Sequence, residues 1–107
     1  MPAEAALFAV PVFAALGDET RLRIVLRLGM GPASIARLTL GSSLTRQAVT
    51  KHLNVLEKAG LVSHARSGRE TVWALDRDRV DQARHYLGLI ARQWNEKLEQ
   101  LRGFVEE

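Results

Sequence analysis

The chain has no cysteine. Disulfides, thiolate metal sites and cysteine redox sensing are thereby excluded. It also lacks a run long and apolar enough to span a bilayer. The apolar stretch from Ala5 to Leu16 is too short and is interrupted by Pro11. That stretch has no basic leader and no small-residue cleavage pattern after it, so a cytoplasmic chain with no membrane partner is expected. No internal repeat, low-complexity tract or linker-like stretch breaks the sequence. Catalytic signatures are missing as well: no nucleophile–base pair and no Gly-rich phosphate loop stands out. Asp76, Asp78 and Asp81 are grouped, but helix capping accounts for them. The chain is therefore not expected to be an enzyme or to carry a cofactor.

What is present fits one small helical domain. Residues 1–107 are expected to form a single unit, since 107 residues rarely hold two. A chain this short buries a modest core, and association is a common remedy. The net charge of +3 is unevenly placed. Residues 42–75 carry Arg46, Lys51, Lys58, Arg66 and Arg69 against Glu57 and Glu70. The flanking segments nearly cancel, with four basic and three acidic groups before and six basic and seven acidic groups after. A locally basic segment in a balanced chain is what contact with phosphate requires.

Apolar spacing predicts mostly helices. The segment from about Ala3 to Leu16 is apolar on nearly all sides and must be covered. At Pro11 it either kinks or a fresh helix begins. Asp18 is a good N-cap for a second helix, Glu19 to Leu28. Leu22, Val25 and Leu26, with Ile24, are expected inward, and Arg21, Arg23 and Arg27 outward. Pro32 suits the first turn of a short third helix, Ala33 to Leu38. A turn-rich connector, Thr39 to Ser43, precedes a fourth helix capped by Thr45 and closed by Gly60. Val49, Leu53 and Leu56 define its buried face, widened by Ala48, Val55 and Ala59. The period then changes to two. Leu61–Arg66 and Arg69–Leu75 predict a β-hairpin turning at Ser67-Gly68, with Thr71, Trp73 and Leu75 on one face. Asp76 or Asp78 caps a long last helix, from about Arg79 to Val105. Val80, Ala83, Leu87, Ile90, Trp94, Leu101 and Phe104 run down it in a three–four heptad alternation, with one break at Lys97 that Leu98 covers. That stripe looks for a partner helix. Residues 1–16 and 79–105 are accordingly expected to make a homodimer, with Phe8, Leu87, Ile90, Trp94, Leu98 and Leu101 at the interface.

The third and fourth helices, over 32–59, form a helix-turn-helix unit, whose second helix enters the DNA major groove. Off the apolar stripe, the fourth helix offers Arg46, Gln47, Thr50, Lys51 and Asn54, with no acid among them. Its N-terminus adds free N–H groups and the positive end of the helix dipole. Arg46 or Lys51 suits guanine, Gln47 suits adenine, and Thr50 suits either. Arg66 and Arg69 stand at the tip of the hairpin over 61–75, a wing able to lie on the DNA backbone or enter a narrow minor groove. The fold class expected is mainly α with a small β-hairpin wing.

The run Leu16-Gly17-Asp18-Glu19-Thr20-Arg21-Leu22-Arg23-Ile24-Val25-Leu26 resembles the opening of the arsenic-repressor (ArsR) type of winged helix-turn-helix regulators. Gln47 through Val62, ending in Ala59-Gly60-Leu61-Val62, is similar to their recognition segment, and Ser67 through Leu75 to their wing. The resemblance covers roughly residues 8–80. It implies a homodimer on a near-palindromic DNA operator, usually as a repressor released by a small-molecule inducer. It also implies that His52 lies close to DNA or caps the helix-turn-helix packing. Metal-sensing members carry a cysteine pair in the helix before recognition, whereas Ser34-Ile35-Ala36-Arg37-Leu38 offers no ligand. Others bind zinc on the last helix, where this chain has one histidine, His85, and an Asp81 off the motif's spacing. No metal is expected, because a tetrahedral site needs about four ligands. A winged helix that binds only protein is the alternative. It would keep the fold and lose the acid-free polar face.

Overall fold

The computed structural model describes Leu7 and residues 9–106. The elements run α1 (Val10–Leu16), α2 (Glu19–Leu28), β1 (Ala33–Ser34), α3 (Ile35–Thr39), α4 (Arg46–Lys58), β2 (Val62–Ser67), β3 (Glu70–Leu75) and α5 (Arg77–Glu106). Pro11 falls in the first turn of α1, where its missing N–H leaves no bond unmade. Of the two arrangements open for this segment, a helix starting beside the proline is the one found. Phe8 and residues 1–6, expected to extend that helix, lie outside the described residues.

The core gathers under α4. Val49, Leu53 and Leu56 are buried as their spacing predicts, and Leu53 and Leu56 are completely covered. Val12 and Ala15 of α1, Ile24 and Leu28 of α2, and Leu61, Val62, Trp73 and Ala83 close around them. Val55, expected to widen the α4 stripe, is instead exposed. At about 100° per residue it lies well away from the Val49–Leu53–Leu56 arc.

The phase of α2 is also different from expectation. Ile24 and Leu28 are buried and Val25 packs partly against the core, whereas Leu22 and Leu26 are exposed, Leu26 to 65%. Ile24 and Leu28 are one turn apart on one arc, and Leu22 and Leu26 fall on the far side. Both arcs satisfy a three–four spacing, so the pattern alone admits either. Arg21 does not simply face solvent: its Nε donates to the Ala15 carbonyl at 2.7 Å, tying α2 back to α1. Arg27 is half-buried and reaches the Gly31 carbonyl.

Residues 33–34 also depart from expectation. They form a short strand rather than the first turn of a helix. Ala33 pairs with Trp73 and Ser34 with Val72, so the sheet has three antiparallel strands in the order β1-β3-β2. Ser34 then caps α3, its hydroxyl oxygen accepting from the Arg37 N–H at 3.2 Å. The hairpin register pairs Ser67 with Glu70, which leaves Gly68-Arg69 as the two-residue turn. Gly68 has φ +63°, the conformation that a type II′ hairpin asks of its first turn residue. The turn is therefore one residue later than Ser67-Gly68.

The junction after α4 is tightly built. The Gly60 N–H bonds to the Glu57 carbonyl at 2.9 Å and the Leu61 N–H to the Leu56 carbonyl at 3.0 Å. This is the Schellman pattern, with glycine at the left-handed position, φ +83°. Leu56 and Leu61 are both buried and supply its apolar contact. The Arg79 side chain lies directly against Gly60, since a Cβ there would meet Arg79 Nε at 2.8 Å. Asp76, rather than Asp78, caps α5 by accepting from the Arg79 N–H at 3.1 Å.

Helix α5 has 30 residues, about 45 Å at 1.5 Å per residue. It makes the molecule long and narrow, 67 × 27 × 20 Å. Only its beginning serves the core, through Val80 and Ala83. Beyond that, Leu87, Ile90, Trp94, Leu98, Leu101, Phe104 and Val105 are exposed. Among the described residues no helix is long and apolar enough to cross a membrane.

Candidate nucleic-acid interface

The interface is built on α4. Thr45 has extended backbone, φ −78° and ψ 161°, and its side chain accepts from the Ala48 N–H at 3.1 Å. One of the helix's orphan donors is thereby satisfied. The first turn carries no acidic residue. With Val49, Leu53 and Leu56 held inward, helical geometry turns Gln47, Lys51, Asn54 and Lys58 to the opposite side. Arg46, Gln47, Lys51 and Asn54 are all exposed. The helix thus presents two cations and two amides beside the positive end of its own dipole.

The remaining expected contacts divide. Thr50 is half-buried, and its hydroxyl donates to the Arg46 carbonyl at 2.8 Å. Its proton is committed to the helix, and what it offers outward is acceptor capacity. His52 lies on the other flank, with Nδ1 3.9 Å from the Asp18 carboxylate. This side chain lies between α4 and the start of α2. Arg66 and Arg69 are exposed at the wing tip. Neither appears in an ion pair among the described residues.

Asp18 joins these elements. It caps α2, accepting from the Arg21 N–H at 2.9 Å. That backbone bond holds its carboxyl below the ordinary aspartate value, partial burial works against it, and the Arg21 and His52 side chains add to the lowering. A carboxyl whose folded value is depressed contributes stability above its unfolded value, and that contribution disappears as pH falls through the folded value. Asp18→Asn keeps a capping oxygen but removes the charge. Urea unfolding at a series of pH values is therefore expected to show a shallower loss of stability for Asp18→Asn than for the parent chain below about pH 4. Parallel acid limbs would show that the Asp18 charge plays no part.

Sequence patterns did not reveal one pair that the fold assembles. His64 on β2 places Nδ1 2.6 Å from Glu57 Oε2 at the end of α4. The two are seven residues apart across a turn, and no local spacing signals their meeting. No group of three or more His, Cys, Asp or Glu side chains suited to a metal ion occurs among the described residues.

Comparison with known proteins agrees with this geometry. A helix-turn-helix domain family matches residues 16–65. The HTH-type transcriptional regulator Rv2034 of Mycobacterium tuberculosis is 42% identical over 62 residues, covering 58% of this chain and 58% of that protein. The uncharacterized HTH-type transcriptional regulator YuzN of Bacillus subtilis is 43% identical over an alignment covering 57% of this chain and 74% of YuzN. Among solved structures, an ArsR-like transcriptional regulator from Rhodococcus sp. RHA1 superposes with a TM-score of 0.80 at 31% identity, covering 95% of this chain and 96% of that one.

Proposed function

The chain belongs to the ArsR-like helix-turn-helix transcriptional regulators, and on that premise we propose that it works in the cytoplasm as a homodimeric repressor on a near-palindromic duplex operator. The observation that carries the DNA-reading part is the exposed face of α4 that runs from Arg46 to Asn54 without an acid, with Arg46, Gln47, Lys51 and Asn54 turned outward. Arg46, Lys51 and Gln47 are the side chains proposed to reach base edges, with Thr50 accepting and Asn54 at the margin. His52 is proposed to act indirectly, by holding α4 against α2 through Asp18. Arg66 and Arg69 are proposed to bind phosphate or a narrow minor groove. The exposed stripe Leu87, Ile90, Trp94, Leu98 and Leu101 supports self-association, because contiguous apolar surface of this kind marks an interface. Residues 32–59 would then read, 61–75 steady and 79–105 pair the copies, with relief by a small-molecule inducer as the mode of control.

Binding to duplex DNA as a function of salt tests the reading. Each phosphate neutralised contributes a slope of about −0.9 in log K against log salt. Arg69→Ala is expected to lower affinity by a similar factor for every duplex and to reduce that slope by about one. Gln47→Ala is expected to change base preference instead, by about 1–3 kcal/mol at one position. Fluorescence anisotropy on an operator and its single-base variants separates the two. Equal, sequence-blind losses would remove α4 from the reading role. A chain with no salt-dependent affinity for DNA would be a protein-binding winged helix.

A further inference from the structure

Glu57 is the single acid on α4. Its flank is the one that carries Arg46 and Thr50, about three and two turns back along the helix. Left free, a carboxylate there would repel the phosphates that this helix is proposed to approach. His64 holds it by the 2.6 Å contact between Nδ1 and Oε2. The same imidazole lies over Trp73, with ring centroids 4.6 Å apart and planes inclined by 39°. Trp73 is buried in the core and is the cross-strand partner of His64 in the β2–β3 register. One side chain therefore touches the last turn of α4 and both strands of the wing.

We propose that His64 is a positioning residue for DNA binding, fixing the wing to the recognition helix through Glu57 and Trp73 and turning the Glu57 charge away from the reading flank. The inference rests on the DNA-reading role proposed above. Its effect is geometric rather than stabilising. The His64 and Glu57 side chains are 46% and 36% exposed, and pairs so open to water add little to folding free energy. With an ionised carboxylate able only to accept, Nδ1–H is the donor in this pair. An amide oxygen in place of the carboxylate would still accept that hydrogen bond.

The test compares binding of a mixed-sequence duplex by the parent chain, His64→Ala, Arg69→Ala and the double variant. With the wing held by His64, Arg69→Ala lowers affinity. In the His64→Ala background the same change is expected to matter less, by roughly three- to tenfold, the coupling typical of residues in one contact network. Glu57→Gln keeps the acceptor and is expected to retain the full Arg69 effect. An Arg69 effect of equal size in both backgrounds, with the variants melting as the parent does, would overturn the proposal. A second readout needs no DNA. Amide order parameters across Arg66–Arg69 in the free protein are expected to fall in His64→Ala and in Glu57→Ala, and to stay at the parent level in Glu57→Gln. Unchanged order in both alanine variants would likewise overturn it. A parent chain that ignores DNA while its wing loosens in these variants would overturn the DNA-reading role, and the role of His64 in DNA binding with it, leaving only the joint between wing and α4.

Discussion

Leu53→Ala is expected to destabilise the fold by about 3 kcal/mol, within the range of large-to-small changes in closed cores. Leu53 has no exposed surface and sits at the centre of the buried face of α4, between Val49 and Leu56. Residues from α1, α2, β2, β3 and α5 all join the cluster around it. A cavity there can collapse only if several elements move together, which dense interiors resist. Urea unfolding checks this: the midpoint should fall while the m-value holds. A loss below about 1 kcal/mol would mean that α4 relaxes freely. That helix would then be far less firmly seated than its burial indicates.

Trp94→Ala is expected to weaken self-association by about 2 kcal/mol or more, roughly thirtyfold in Kd. Trp94 is 60% exposed although it is the largest apolar side chain on α5. It lies midway along the exposed stripe, with Leu87 and Ile90 before it and Leu98 and Leu101 after. Large aromatics near the centre of an apolar patch commonly dominate association. Because Trp94 does not belong to the core cluster, its removal should leave the secondary structure intact. Sedimentation equilibrium and circular dichroism together check both halves of this outcome. An unchanged dimer would place the interface elsewhere.

The parts of the fold legible in the sequence are those where stereochemistry acts locally. Thr45 and Gly60 bracket α4 because a hydroxyl can cap an N-terminus and only glycine sits easily at φ +83°. Asp18 marked the start of α2 for the same reason. The outward face of α4 was legible once Val49, Leu53 and Leu56 fixed its inward one. What escaped depends on partners distant in sequence. Ala33-Ser34 is a strand only because Trp73 and Val72 come to lie beside it, and two residues show no periodicity of their own. The phase of α2 was ambiguous because Leu22 and Leu26 are as apolar as Ile24 and Leu28; α1 and α4 decide which pair is covered. His52 meeting Asp18, and His64 meeting Glu57, are products of the assembled fold. The heptad stripe on α5 is one feature in the sequence, yet the fold divides it. Val80 and Ala83 belong to the molecule's own core, and the positions from Leu87 onward do not.

The contact between Arg79 and Gly60 has a consequence for the length of DNA that two copies could grip. The Arg79 guanidinium rests on the closing turn of α4, and just before α5 the Asp76 N–H donates to the Leu61 carbonyl at 2.8 Å, so the foot of α5 is tied to the end of α4 at two points. Clasping two such long helices would set the gauge between the two reading heads like the rail spacing of a track. Operators whose halves are offset from about one turn of B-form DNA, roughly 34 Å, should then be refused even when every base in each half is right.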